Sequence, residues 1–451
     1  MEGDMAGCIV PTEDVKKILE NPLGFEVITE NQPYSNPNRF FSHWILKEYY
    51  NTFPFIVQKF ANPIESIYLS SAIVKTVIQI ILILLLAFAI TGSFKVLKLD
   101  FMIAVSLIYP LFQTNGYRPF IGIIDPSVTY TFFYAVPCIF LILYFLPFIF
   151  QLYHSKIQIT PTLILIFWIP LAFVVSLSGP LNPGVALVFS LLAFFIVFKK
   201  YYNQTNQKSF ISNGFNSFIK IPINYWFFLL PISLLSFYSL YIGSFNSYSI
   251  VSQIPLSEMY SRLPEGIFNL FTHKIAFPIL FIILTLNTVL IHRYYKTTEG
   301  KKMISTFKWI GIFALIYVLL LPLGGYREYR PLIVRYDTFM PVTLSLIFIF
   351  GATTLFLFKN MSNKQRMWYI PLIVGILIIY TNADEAQFNN NRCERMALKE
   401  ISESKDSIVP IQNNCTVLSW GNITNPKDSE LNAELLKIWK ITNEKKHYYN
   451  K

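Results

Sequence analysis

The residues best suited to chemistry are arginines in short loops between apolar segments. Arg327, Arg330 and Arg335 fall within nine residues, and Arg118 and Arg262 lie in other loops on the same side of those segments. A guanidinium group is planar, stays charged and binds phosphate or carboxylate through two parallel hydrogen bonds. The loops of the opposite side carry mostly lysine, so this uneven distribution predicts an anion-binding site.

A simpler interpretation of the arginines stays open. Glu328 and Asp337 are close to them in sequence, and exposed ion pairs contribute only about 0–1 kcal/mol each. Arg118 can equally anchor an external turn at the membrane interface. We favour the binding site because positive charge is disfavoured on the face opposite the lysine-rich loops.

Two acidic positions are candidates for a general base. Glu2, Gly3 and Asp4 stand together, and a carboxylate beside glycine can approach a substrate closely or hold a metal ion. Asp125 shares the loop of residues 113–130 with Arg118. The alternatives are a solvated, flexible N-terminal segment and an ordinary external turn.

The composition indicates a membrane protein. The chain is 53% hydrophobic and 17% aromatic with 14% charged residues, whereas soluble domains carry about 25% charged residues. The net charge of +11 is attributed to cytoplasmic loops and not to nucleic-acid binding. Zinc-ligand spacing, a P-loop and a dinucleotide-binding fingerprint are all missing from the sequence.

Apolar segments of nearly membrane-spanning length follow one another through the middle of the chain, and about 20 residues suffice to cross a bilayer. Three of them, 99–113, 183–198 and 367–381, are short. The segments are 70–91, 99–113, 128–151, 158–178, 183–198, 222–243, 275–292, 305–323, 337–358 and 367–381. We therefore predict an all-α polytopic membrane protein with about ten transmembrane helices.

The predicted division is an N-terminal segment of residues 1–69, a transmembrane domain of 70–381 and a soluble tail of 382–451. Lysine-rich loops mark the cytoplasmic face, which places both ends of the chain outside the cytoplasm. An external N-terminal segment must be translocated, and we hypothesise a further apolar helix upstream of Met1 to carry it.

Polar residues outside the membrane predict local structure. Thr12 begins a helix over Val15–Leu19, a turn lies at 36–38, and an amphipathic helix covers Arg39–Phe60. The tail is expected to be a small α/β domain with helices near 394–404 and 429–439 and a strand near 416–420. Cys138 is expected to be an inert core residue, whereas Cys393 and Cys415 can form a disulfide in an external tail.

This layout resembles the GT-C superfamily of integral-membrane glycosyltransferases. The matching positions are Asp4 in the first external segment, the stretch from Asn36 to Trp44 that includes Arg39 and His43, and the arginines of 324–337. The loop 113–130, which contains Arg118 and Asp125, also looks like that of unassigned bacterial members.

The resemblance implies an inverting sugar transfer from a polyprenyl-phosphate donor to an extracytoplasmic acceptor, in the bacterial inner membrane and cell envelope. Asp4, with Glu2 beside it, would act on the acceptor hydroxyl, and His43 would be a second acid or base. Arg39, Arg118, Asp125 and the three clustered arginines would bind the substrate. The acidic motif here is Asp4 with Glu2 nearby, whereas the superfamily pattern is two adjacent acidic residues. Whether Asp4 holds a divalent cation therefore stays an open question.

Two other classes of function remain open from the sequence. A transporter or flippase of an anionic lipid or solute would place ionisable residues within its spans and often shows repeats, and neither feature is evident. A non-catalytic membrane assembly protein would use the soluble segments to bind protein partners. Membrane lipid is an expected partner in every case, and nucleic acid in none.

Overall fold

A computed structural model of the chain describes residues 1–112, 123–154, 163–205, 210–248, 254–272, 275–327, 330–383, 390–412 and 414–451. The N-terminal segment forms short helices and one long one, which are α1 (Asp4–Ile9), α2 (Glu13–Glu20), α3 (Glu26–Thr29) and α4 (Phe40–Val57). Thr12 caps α2 by accepting a hydrogen bond from the backbone nitrogen of Val15, as predicted.

The central helices are α5 (Pro63–Thr91), α6 (Leu99–Ile108), α7 (Val128–Ile149), α8 (Leu165–Ser176), α9 (Leu181–Thr205), α10 (Phe210–Ile219), α11 (Ile223–Gly243), α12 (Leu256–Ser261), α13 (Leu263–Thr272), α14 (Ala276–Tyr294), α15 (Thr298–Leu320), α16 (Met340–Asn360) and α17 (Asn363–Ala383). The tail contains α18 (Arg392–Glu403), β1 (Ile408–Ile411), α19 (Glu430–Ile438) and β2 (His447–Asn450).

Eight helices of the described residues are long and apolar enough to cross a membrane. They are α5, α7, α9, α11 and α14–α17, while the apolar helices Leu99–Leu111 and Leu165–Ser176 are shorter. The protein is therefore a multi-pass helical membrane protein, and the predicted number of ten crossings is not confirmed. Segments 183–198 and 367–381 were predicted too short because polar residues at their ends continue the helices.

The core is centred on α16, whose side chains are almost all buried. Within it, Thr353 and Thr354 accept hydrogen bonds from the Asn287 amide nitrogen of α14 at 3.0 and 3.1 Å. Tyr369 of α17 donates to the Asn287 amide oxygen at 2.6 Å. Such satisfied polar contacts hold transmembrane helices together, since apolar surfaces alone give them little reason to associate.

The tail docks on the N-terminal helices. Trp439 donates its indole N–H to the Tyr50 carbonyl at 3.2 Å, and the Gln58 amide donates to the Trp439 carbonyl at 2.8 Å. Arg395 forms an ion pair with Glu65 of α5. The small sheet is parallel, with Ile408 opposite His447.

The predicted strand near 416–420 is wrong. Leu418 has a φ of +47°, which an extended strand cannot accommodate. Its backbone nitrogen donates to the Glu394 carboxylate at 3.4 Å, and Cys415 is bonded to Cys393, so this segment is bent against α18. The disulfide that the sequence allowed is thus present, and Cys8 and Cys138 are free and buried.

The cysteines give a direct prediction for the tail. Protein denatured without reductant should take up two maleimide groups, at Cys8 and Cys138, and four after reduction, as counted by intact mass. Replacing Cys393 and Cys415 together by serine should lower the stability of the tail by about 2–4 kcal/mol. Uptake of four groups before reduction would contradict the bonded state.

Candidate functional site

Several chain segments that are distant in sequence meet at one end of the helices. They are α1, the start of α4, the start of α7, the turn at 177–179, the segments 325–327 and 330–339 and the loop of the tail around Trp420. The segment Thr131–Ala135 of α7 is a π-helix, and single turns of this type occur often at functional sites.

Arg39 is held by the backbone on both sides. The Asn36 carbonyl accepts from the Arg39 nitrogen at 3.1 Å, and Asn36 itself has a φ of +49° that turns the chain into α4. The Phe41 nitrogen donates to the Leu177 carbonyl at 3.2 Å, and the Ser42 hydroxyl donates to the Ser178 carbonyl at 2.5 Å. The start of α4 is thereby fixed against the turn that precedes α9.

The Arg39 side chain is 5% exposed, and its Nε has no hydrogen-bond partner. Its guanidinium lies over the Phe133 ring, 4.9 Å from the ring centre. Burial lowers the pKa of Arg39, and the nearby charges of Arg327 and Arg330 lower it further. No carboxylate of the described residues forms an ion pair with Arg39. A buried, unpaired cation is costly, and an anion beside it would offset that cost.

Arg327 and Arg330 lie close to Arg39. Arg327 donates to the Asn36 amide oxygen at 3.1 Å, and the Arg330 nitrogen donates to the Arg327 carbonyl at 2.9 Å, which closes a turn. The Arg330 guanidinium donates to the Tyr130 hydroxyl and lies 3.6 Å from the Asp337 carboxylate. The charges of both side chains act on Arg39.

Arg335 is engaged differently. Its Nε and one terminal nitrogen each donate to Asp337 at 3.0 Å, and the other terminal nitrogen donates to the Leu332 carbonyl at 3.0 Å. Asp337 is 2% exposed and also accepts from the Thr338 nitrogen at 2.8 Å. Arg335 thus forms a local ion pair with Asp337, which is the simpler interpretation that the sequence left open for the arginines.

Tyr134 lies at the centre of these charges. Arg39, Arg327, Arg335 and Asp337 all act electrostatically on its hydroxyl. The structure thus brings together four of the arginines singled out from the sequence, and three of them are concentrated around one buried region. Arg118 lies outside the described residues.

Two aromatic rings, those of Trp420 and Tyr130, lie between Asp4 and the arginines. It is exposed, and its carboxylate accepts a hydrogen bond from the Trp420 indole nitrogen at 3.1 Å. The Trp420 ring lies 5.9 Å from that of Tyr130, whose hydroxyl accepts from Arg330. Cys8, one turn along α1, is acted on by the charges of both Asp4 and Arg39. The acid and the arginines therefore border one site.

Glu2 and Asp125 support the start of α7. Glu2 is 6% exposed, and its carboxylate accepts from the Thr129 nitrogen at 2.7 Å. Asp125 is 4% exposed and accepts from the Ser127 nitrogen at 2.8 Å. Carboxylates at a helix N-terminus are stabilised by its free N–H groups and dipole. This geometry favours positioning of Tyr130 over a direct role, and their predicted roles in catalysis and binding remain untested.

His43 is 4% exposed, and its Nδ1 lies 2.9 Å from the Arg39 carbonyl oxygen. Its ring packs on Phe133 at 4.7 Å between centres. Burial lowers the pKa of His43 to about 3, so the ring is neutral and donates its Nδ1 proton to that carbonyl. A role in proton transfer remains a prediction, but this geometry favours a role in holding Arg39.

The arrangement does not fit a protein-held metal ion. Across the described ranges, no three His, Cys, Asp or Glu side chains form a group that could bind one. The Asp4 carboxylate faces Trp420 and that of Glu2 faces Thr129, so the two do not converge. A divalent cation needs several oxygen ligands around one point.

An apolar cavity of about 310 Å³ extends through the membrane helices next to this site. Cys138 lines it and also lines a small gap beside Gly179 and Asp337. Nearly all its other lining groups are hydrocarbon or aromatic, and Lys302 lies at the far end. Such a lining would accept apolar groups more readily than polar ones.

Sequence reasoning missed Tyr130, Tyr134 and Trp420 as members of the site. Tyrosines are common at membrane interfaces for other reasons, and Trp420 was assigned to a strand. The contact between Asp4 and Trp420 joins residues 416 positions apart. Only the polar setting of Trp420, between Ser419 and Gly421, distinguishes it in the sequence.

Comparison with known proteins adds no assignment, since no family model, curated protein or solved structure is significantly similar to this chain. The resemblance to GT-C enzymes therefore remains a prediction from layout and residues.

The neutral state of His43 predicts a pH dependence of stability. In the unfolded chain His43 binds a proton below about pH 6.5, whereas in the folded protein it does not until about pH 3. Stability is therefore complete above the unfolded pKa and falls as pH is lowered through this window, by up to about 1.4 kcal/mol per unit.

The matched variant is His43→Gln, which keeps a donor for the Arg39 carbonyl and cannot titrate. Its melting temperature in detergent should fall less than that of the wild type between pH 6.5 and 4. Parallel melting curves for the two proteins over this range would show that His43 is not buried in its neutral form.

Proposed function

We propose that this protein is a membrane glycosyltransferase that moves a sugar from a polyprenyl-phosphate donor to an acceptor outside the cytoplasm. The observation that carries the proposal is the buried guanidinium of Arg39, which has no anionic partner among the described residues. A phosphate placed there would neutralise it, with Arg327 and Arg330 adjoining.

The proposed reaction is a single displacement at the sugar carbon bonded to phosphate. Asp4 takes the proton of an acceptor hydroxyl, and the acceptor oxygen forms a bond to that carbon. The bond from this carbon to the phosphate oxygen breaks, and its electron pair leaves with the lipid phosphate. The sugar changes configuration because the two oxygens occupy opposite faces.

The arginines would act on the leaving group. Negative charge on the lipid phosphate increases as the bond breaks, and fixed cations at that point stabilise the transition state more than the ground state. Arg39 is preorganised for this by its backbone contacts and by Phe133. Arg335 is paired with Asp337 and would instead hold the segment 330–339 in place.

The apolar cavity supports a lipid-linked donor. It begins beside Cys138 and Pro341, close to Asp337, and continues between α5, α7, α9, α15 and α16. A polyprenyl chain seated there would bring its phosphate to the arginines from the bilayer. The site then faces the extracytoplasmic side of a bacterial inner membrane, as the lysine-rich opposite loops favour.

Ion-coupled transport is less consistent with the described spans. Their charged residues lie mostly at the helix ends, with Lys75 and Lys308 further in, and Lys75 donates to the Pro126 carbonyl. A path for a polar solute would need polar groups at membrane depth. A lipid flippase would share the phosphate site, and sugar transfer distinguishes the two functions.

Arg39→Met tests the anion site. Without lipid, the variant should melt at a higher temperature than the wild type because a buried, unpaired charge is removed. Saturating polyprenyl phosphate, at about 100 times its dissociation constant, should stabilise the wild type by about 2.7 kcal/mol and the variant hardly at all.

The control variant is Arg262→Met. Arg262 follows α12 directly and forms an ion pair with Glu258 of that helix. This variant should bind the lipid like the wild type. The anion site is refuted if Arg39→Met is destabilised and still responds to polyprenyl phosphate as the wild type does.

Asp4→Asn tests the base. The amide oxygen can still accept from Trp420, so lipid binding and folding should be unchanged, while sugar transfer falls about 10²- to 10⁴-fold. Asp14→Asn, in the first turn of α2, is the matched control and should keep full activity. Full transfer by Asp4→Asn, measured with a radiolabelled donor in membranes, rules out Asp4 as the base.

A further inference from the structure

Trp420 is the largest exposed hydrophobic side chain in the described part of the tail. It is 59% exposed, and its neighbour Gly421 has open space around the position of a side chain. Trp368 is also exposed but belongs to the apolar helix α17, where lipid can cover it, and Trp44 lies on α4, outside the tail. Trp420 has no such explanation, since it belongs to the polar tail.

The ring is held in one orientation. Its N–H donates to Asp4 at 3.1 Å, and indole has no other polar atom. Gly3 makes this approach possible, because a side chain there would start 2.6 Å from the Trp420 ring. The only polar group of the ring is satisfied, so the exposed remainder is an apolar plane beside the carboxylate.

Two further rings, those of Tyr130 and Tyr134, connect this plane to the arginines. Trp420 lies 5.9 Å from Tyr130 at an angle of 42°, and Tyr130 lies 5.9 Å from Tyr134. Tyr130 accepts from Arg330, and Tyr134 lies among the charges around Arg39. An aromatic wall therefore runs from the exposed acid to the buried cations.

We propose that Trp420 is a substrate-binding residue whose indole ring stacks on a saccharide ring held between Asp4 and the arginines. The inference rests on the proposed function and adds that the tail contributes directly to the site. A saccharide presents C–H groups on its faces and hydroxyls at its edge. The Trp420 ring would pack against the C–H face of the sugar, and Asp4 would accept a hydrogen bond from a hydroxyl at its edge. The soluble tail would therefore select the sugar.

Two variants separate the ring from its N–H group. Trp420→Gln keeps a donor for Asp4 and removes the ring, whereas Trp420→Phe keeps a ring and removes the donor. Trp368→Ala is the control for loss of an exposed tryptophan. The probes are polyprenyl phosphate alone and polyprenyl phosphate linked to glucose, mannose, galactose or arabinose, with affinity read from thermal stabilisation of full-length protein in detergent.

The wild type should bind one sugar-linked lipid more tightly than polyprenyl phosphate alone. If the stacked saccharide belongs to the donor, Trp420→Gln should lose this preference, about tenfold in affinity, as is typical for removing one well-placed aromatic side chain. Trp420→Phe should keep most of it, and none of the three variants should change binding of polyprenyl phosphate itself.

The saccharide can belong to the donor or the acceptor, and a second measurement distinguishes them. Sugar transfer is measured with saturating labelled donor while increasing amounts of membranes are added as the source of acceptor. A higher half-saturating amount for Trp420→Gln, with donor affinity unchanged, assigns the stacked ring to the acceptor.

Unchanged donor affinity and unchanged acceptor titration in Trp420→Gln would overturn the inference and leave the proposed function standing. Wild-type protein that binds neither lipid, with Arg39→Met behaving identically, would instead overturn the proposed function itself.

Discussion

The unpaired charge of Arg39 is the constraint on which the site depends. A guanidinium that is 5% exposed and lacks an anionic partner in the described chain reduces the stability of the free protein. The structure retains it through backbone contacts at Asn36, Leu177 and Ser178 and through the Phe133 ring. Such a charge is consistent with an anion that binds and leaves.

The neighbouring arginines differ in how far their charges are already compensated. Arg335 is neutralised by Asp337 in a bidentate pair, and Arg330 shares that carboxylate at a longer distance. Arg327 donates to the neutral side-chain amide of Asn36. The charges of Arg327 and Arg330 both act on Arg39, while Asp337 pairs with Arg330 and Arg335.

The membrane helices and most local signals could be predicted from the sequence. Hydropathy located the eight long apolar helices, although ten crossings were predicted. The cap at Thr12 followed from residue type, and the disulfide between Cys393 and Cys415 was one possibility that the sequence left open. The arginine cluster was also visible because it opposes the charge rule for loops. These features depend on nearby residues, which a single sequence contains.

Other features of the site depend on contacts between distant segments. The difference between Arg335, paired two residues away, and Arg39, left unpaired, follows from how α4 packs on the turn before α9. The contact of Asp4 with Trp420 needs the tail to dock on α1. The strand predicted near 416–420 was wrong because Leu418 takes a positive φ in that docked loop.

The most direct test is an experimental structure of the protein with polyprenyl phosphate bound. We expect phosphate oxygens within hydrogen-bond distance of the Arg39 guanidinium, with Arg327 or Arg330 as a second ligand and the prenyl chain in the cavity beside Cys138. A phosphate bound elsewhere, with Arg39 paired to a carboxylate of its own chain, would contradict it.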